Sequence, residues 1–252
     1  MKKSLQFYIF GYFLTCNCLL MAQTEQHFRA GIAAGINFSQ INGDNQEGYH
    51  KLGLSAGVKG AYCFKPDFDV SAELLYNSRG GRPNPSESEQ SLAARSSLLT
   101  ATLNYADVLL AANFHFSPRS DYAFYRQSLQ IGLSYGRLLS SSVQVLRGKS
   151  ADIALENNIQ EKFRKDDIGF VVGYSWFATA RLGVTAKHTF SLRKIYVNPL
   201  GAANQEYYAF TPYNLSVQLT YNFISPKLNV SEQVAKAKKA AERKKKSPLE
   251  DL

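Results

Sequence analysis

Cysteine is too scarce here to build with. Of three in 252 residues, Cys16 and Cys18 fall in the first 22 residues, leaving Cys63 as the one expected in the mature chain. An intramolecular disulfide and a thiolate metal cluster are thereby excluded. Long apolar runs are equally scarce beyond the leader: mean hydropathy is −0.25, and no stretch of about 20 apolar residues offers a spanning helix. Histidine is limited to His27, His50, His115 and His188. No two of them fall with a nucleophile in a base-and-nucleophile arrangement, and the least poor pairing is Asp44 with His50. The segment GDNQEG (43–48) lacks calcium-loop spacing and a distal Glu, so it reads as a turn. The expectation is of no enzyme, no cofactor and no metal.

Basic charge is plentiful but badly placed for nucleic acid. The formal charge is +9, yet Lys2 and Lys3 belong to the leader, and residues 224–252 hold eight Lys/Arg against four Asp/Glu. The body keeps about +3, whereas a nucleic-acid surface wants a basic folded face. The leader itself (1–22) has Lys2 and Lys3, an apolar run from Leu5 to Met21 and Ala22 before Gln23, which is the pattern of a secretory signal peptide.

What is abundant is alternation. In NLSVQLTYNF (214–223), Leu215, Val217, Leu219, Tyr221 and Phe223 take one side; Asn214, Ser216, Gln218, Thr220 and Asn222 take the other. Such a strand has an oily face that meets either a second sheet or lipid. The pattern recurs at 28–39, 52–64, 68–77, about 101–116, 122–140, 167–177 and 180–193, predicting eight strands. Several run to ten residues or more, against five or six in soluble sheets, and a tilted strand needs about 9 to 11 to cross a bilayer. Their polar sides are rich in Gly, Ala and Ser, as a narrow interior requires. Their apolar sides often begin or end on an aromatic, as interfacial girdles do. Links alternate strictly between long (about 39–50, 79–100, 141–166, 194–212) and short (65–67, 117–121, 177–179), matching outward loops and periplasmic turns.

Two features break the pattern. Leu103 and Tyr105 share one parity and Val108, Leu110, Ala112, Phe114 and Phe116 the other, which predicts a bulge near Ala106 and Asp107. Arg137 and His188 fall on the lipid side, toward the outer ends of their strands.

The segments GIAAGINFSQINGD (31–44), KLGLSAGVKGAY (51–62), AELLYNSRG (72–80), LNYADVLLAANF (103–114), IGLSYGRLL (131–139), DIGFVVGY (167–174) and NLSVQLTYNF together resemble the PorT-like outer-membrane β-barrel family of Gram-negative bacteria. Leu109 stands where relatives usually have Pro. The resemblance implies the fold and the location, not a secretion activity.

The expected architecture is thus all-β: a signal peptide (1–22), an eight-stranded antiparallel up-and-down transmembrane β-barrel (23–223) and a basic tail (224–252), helical or disordered, with both mature termini periplasmic. Lys59, Glu73, Arg79, Asp167, Arg181, Lys187 and Arg193 form the expected lumen cluster. A barrel of eight strands is just filled by side chains, so these read as a salt-bridged plug, with a small-ion route as the alternative. In the tail, Ser231 caps a helix to about Lys246 whose Val and Ala side chains bury little. Lys236, Lys238, Lys239, Arg243, Lys244, Lys245 and Lys246 either dock an acidic partner or are solvated. RPNPSESEQS (82–91) reads as a flexible outer loop. The functional expectation is a non-enzymatic structural or envelope-assembly component, secretion-linked as an option. Its partners are outer-membrane lipid, the barrel-assembly machinery and a periplasmic or envelope protein at the tail. A small pore is the alternative, and a rim lipid hydrolase or acyltransferase is a lesser one.

Overall fold

The structure, a computed structural model, describes residues 27–44, 48–84, 98–119, 124–147, 150–151, 153–197 and 209–225. The expected signal peptide, the tail beyond Ser225 and most of RPNPSESEQS lie outside the described residues. The elements are β1 (Phe28–Asn42), β2 (Lys51–Lys65), β3 (Phe68–Gly81), β4 (Leu98–Arg119), β5 (Phe124–Arg147), β6 (Ser150–Ala151), α1 (Ile153–Glu161), β7 (Asp166–Phe177), β8 (Leu182–Ser191), β9 (Tyr196–Val197) and β10 (Ala209–Ile224).

Each long strand pairs antiparallel with the next, in the order β1, β2, β3, β4, β5, β7, β8, β10, and β10 returns to β1. Register runs from Ala30 opposite Ile224 to Asn42 opposite Thr211. Closure leaves no edge in the ring, which is what a sheet in lipid requires, because hydrocarbon offers backbone groups no hydrogen bonds. The ring is tightly drawn at Gly35, where a Cβ would sit 2.0 Å from the Val217 carbonyl oxygen of the neighbouring strand. Only glycine fits there.

Which way the two sides face is clear along β10. Asn214, Ser216, Gln218, Thr220 and Asn222 are buried, whereas Leu219 is 61% exposed and Leu215, Val217, Tyr221 and Phe223 are also open. The other strands repeat this: Leu54, Leu74, Leu110 and Leu133 point out, while Ser55, Ser71, Glu73, Asn113 and Gln130 point in. A protein with polar groups inside and a continuous aliphatic and aromatic exterior is arranged for an apolar solvent.

Long and short links alternate as the spacing predicts. Chain reversals at 66–67 and 178–181, and the paired ends of β4 and β5 at Arg119 and Phe124, share one end of the ring with Phe28 and Ile224. The opposite end departs from expectation in a specific way. Strands β4 and β5, at 22 and 24 residues, are about twice what a bilayer needs and project beyond it as a hairpin. The span 141–166, expected as a loop, instead holds the end of β5, β6 and α1.

The expected bulge near Ala106 and Asp107 is also corrected. Odd residues of β4 face inward throughout, from Leu99 to His115. Leu103 and Tyr105 are on the inside because the interior of the projecting hairpin is apolar. The irregularity sits on β5, where Asn104 faces Ser140 but Tyr105 faces Leu138, leaving Leu139 as the extra residue.

That apolar interior is a compact core of Ile41, Leu99, Ala101, Leu103, Tyr105, Val143, Val145, Ile159, Phe163, Ile195, Tyr196 and Phe210. Tyr196 stacks on Phe210 with centroids 4.8 Å apart, and Phe163 packs against both. Helix α1 is fixed over the hairpin by Ile159 and by the Val145 backbone N–H, which donates to the Glu156 carboxylate at 2.8 Å. Six separated segments thus close over one end of the barrel.

Candidate functional site: a charged lumen under an apolar cap

Inside the ring the polar side chains form three tiers. Nearest the turn end, Asp69 on β3 accepts from Arg29 on β1 at 2.9 Å, from Asn113 on β4 at 2.6 Å, and meets His115 Nε2 at 2.7 Å. In the middle, Glu73 on β3 receives Lys187 from β8 at 2.5 Å, Lys59 from β2 at 3.1 Å and the Gln130 amide from β5 at 3.0 Å. At the outer tier Arg79 lies 3.1 Å from Asp167 and 3.4 Å from Asp107. Its guanidinium also rests 3.9 Å above the Tyr105 ring, where the lumen gives way to the cap.

Amides and hydroxyls tie the tiers to the wall. Asn77 donates to Asp107 at 2.6 Å and Asn37 to Asn77 at 3.2 Å; Ser216 donates to Asn37 at 2.5 Å and Gln218 to Ser55 at 2.5 Å. Ser191 donates to Asp167. The small and polar inward residues of the sequence are what allow this: alternate positions must be short enough for side chains from opposite strands to meet across an eight-stranded lumen. Gly136 shows how little space is left, since a Cβ there would lie 2.3 Å from the Asp107 carboxylate and 2.8 Å from the Arg79 guanidinium.

Electrically the cluster balances. Arg29, Lys59, Arg79 and Lys187 face Asp69, Glu73, Asp107 and Asp167, each in at least one ion pair. Taking charges out of water is costly, and the pairs offset that cost only because every partner is present. Between the middle and outer tiers, a cavity of about 20 Å³ is lined by Asn77, Asp107, Ser134, Lys187, Ser216 and Gln218, among others. That is room for about one water molecule.

The structure brings together Lys59, Glu73, Arg79, Asp167 and Lys187 of the expected cluster. It separates the other two. Arg181 is exposed in the 178–181 turn and Arg193 is exposed after β8, because both strands end before reaching them. Sequence parity missed Arg29, Asp69, Asp107 and His115. Arg29 and Asp69 sit on the polar side of their alternation and could have been taken from it; Asp107 was hidden by the misplaced bulge. The tail cations Lys236, Lys238, Lys239, Arg243, Lys244, Lys245 and Lys246 lie outside the described residues.

At the rims, Arg137 faces outward as expected and pairs with Asp166 at 2.6 Å, with the Tyr135 hydroxyl donating to the same oxygen at 2.6 Å. His188 also faces outward, 2.8 Å from the Tyr49 hydroxyl of the β1–β2 loop. Burial pushes the Tyr49 hydroxyl above its ordinary range. Asp44 is buried and His50 partly exposed.

Against solved structures, the chain is similar to the attachment invasion locus protein Ail of Yersinia pestis (14% identity, 79% of this chain and 100% of that one, TM-score 0.43). It is also similar to Neisserial surface protein A (14%, 79% and 98%, TM-score 0.38) and to OprG of Pseudomonas aeruginosa (11%, 79% and 95%, TM-score 0.36). No curated protein matches it. The family model described as the outer membrane protein beta-barrel domain matches residues 21–197. With that match over most of a chain whose ring is polar within and oily without, the protein belongs to the outer membrane β-barrel family of Gram-negative bacteria.

Proposed function

We propose that the protein is a closed, non-enzymatic outer-membrane barrel, a structural or envelope-assembly component rather than a channel. The observation that carries this reading is the outer cap. An apolar core of twelve buried residues lies over a lumen already filled by paired charges, and an ion entering from that side would have to shed its water against leucine, valine and phenylalanine. In this reading the short turns and both mature termini are periplasmic, as in barrels of this class. The barrel-assembly machinery inserts the chain, and residues 226–252 form a basic arm for an acidic periplasmic or envelope partner. The motif order supports a PorT-like member, with a link to secretion as one form of assembly work.

Planar-bilayer recording of the purified mature chain tests the closed state. The reading expects no discrete conductance steps; steady unitary currents would make it a small pore. Co-purification from crosslinked envelopes tests the assembly role, with the full chain expected to retain an envelope protein that a chain ending at Ser225 loses. If both chains retrieve the same proteins, the tail has no docking role.

A further inference from the structure

The outward side of β5 changes chemistry in a fixed order along its length. Leu133 (57% exposed) and Tyr135 (46%) belong to the oily belt. Arg137 comes next, its side chain half exposed. Above it, past the exposed bulge residue Leu139 (60%), stand the exposed Ser140, Ser142 and Gln144, paired across the hairpin with Asn104, Thr102 and Thr100. None of those six is charged, and Asn104 donates to Ser140 at 2.9 Å. Reading upward, the surface passes from aliphatic to aromatic, to cationic and, beyond Leu139 at the bulge, to neutral hydroxyl and amide.

The cationic level is wider than one residue. Lys165 is exposed beside Arg137, its carbonyl accepting from the Leu138 N–H at 2.7 Å. Arg193 is exposed after β8, and its charge reaches Asp166. Among the described residues, Asp166 is the carboxylate that these cations share, and Arg137 already spans it. The group therefore carries an excess of positive charge at the boundary between oil and water, where a phosphate-bearing headgroup is the complementary partner.

We infer that this side of β5, from Tyr135 to Gln144 with Lys165 and Arg193, seats a phosphorylated glycolipid of the outer leaflet, a lipopolysaccharide. Its acyl chains lie on Leu133 and Tyr135, its phosphates meet Arg137, Lys165 and Arg193, and its sugars bond the hydroxyl and amide face of the hairpin. The inference rests on the proposed orientation, in which the projecting hairpin faces outside the cell.

The test uses the full mature chain in detergent with purified rough-type lipopolysaccharide as the probe, and phosphatidylglycerol as comparator, read by native mass spectrometry. Each surface cation contributes about a fivefold factor to binding an anionic headgroup. The Arg137→Ser, Lys165→Ser, Arg193→Ser triple variant is expected to bind lipopolysaccharide roughly a hundredfold more weakly. Arg126→Ser, whose guanidinium lies 5.2 Å over Trp176 at the opposite rim, should bind like the parent. Arg193→Ser alone, in an exposed link, should lose about fivefold and decides the matter if the triple variant does not form a barrel by circular dichroism. Triple-variant binding within a few fold of the parent, or equal binding of phosphatidylglycerol, overturns the inference. Whole-cell labelling of Gln144→Cys by a membrane-impermeant maleimide separates the two readings. Labelled cells without a binding defect sink the glycolipid site alone; unlabelled cells sink the orientation beneath it. Cys63 is buried and adds no background.

Discussion

Glu73 holds two lysines at once, and its value to the protein differs from that of a surface carboxylate. Lys187 and Lys59 converge on it from β8 and β2, with all three side chains largely buried. Glu73→Gln keeps the size of the side chain but leaves two buried ammonium groups short of a counter-charge. Removing one partner of a buried pair costs about 3–5 kcal/mol. The expected outcome is a loss of that order in urea unfolding from lipid vesicles, with a substantial part recovered in the Glu73→Gln, Lys187→Met double variant. If Glu73→Gln unfolds like the parent, the middle tier is wetter than its geometry implies. Gly136 makes the same point through space. Gly136→Ala drives a methyl into Asp107 and Arg79, and overpacking of this kind costs about 1–3 kcal/mol. Gly132→Ala, whose nearest obstacles are the Leu110 carbonyl oxygen and Ala111, strains the wall but leaves the outer tier intact. Only the Gly136 variant should therefore show an interaction energy with Arg79→Met in a double-mutant cycle, with the Gly132 variant additive.

Among the elements, the barrel strands were readable and the outer hairpin was not, for one physical reason. Alternation reports the two sides of a strand and says nothing about what either side meets. Within the membrane band the rule that oily means lipid-facing holds, so β10, β2 and β3 could be assigned residue by residue, along with Lys59, Glu73, Arg79, Asp167 and Lys187. Above the band, Leu99, Leu103 and Tyr105 are oily and inward, because α1 and the segments around Ile195 and Phe210 supply a second apolar environment from far along the chain. No local pattern contains that information. Arg181 and Arg193 failed for a related reason: parity was extended past strand ends that only the pairing defines. The cap yields its own prediction. Ile159 is fully buried on α1 against the hairpin, and Ile→Ala at such a site costs about 2–5 kcal/mol. Because the membrane band does not depend on the cap, Ile159→Ala should leave the barrel's unfolding midpoint in place and make α1 sensitive to added protease in intact vesicles. Protection equal to that of the parent would mean that α1 is held by something other than this core.

For the whole molecule, closure, length and polarity support one another. Eight antiparallel strands joined β1 to β10 leave no edge to template aggregation. The lumen of a ring this small is filled by its own side chains. Paired charges fill it here, and an apolar core lies over the end away from the short turns. Shape and solvent preference thus follow from the same alternation, and the closed lumen follows from strand number. All of this depends on the oily side of the ring meeting acyl chains. The direct measurement is the collision accessibility of single nitroxide labels along residues 214–223, placed in turn on a Cys63→Ser chain inserted in phospholipid bilayers. Labels at Leu215, Val217, Leu219, Tyr221 and Phe223 should collide with dissolved oxygen and avoid a water-soluble nickel chelate. Those at Ser216, Gln218 and Thr220 should be shielded from both, giving a period of two. Uniform access to the chelate, or a period of two with the polar positions in lipid, would contradict the account.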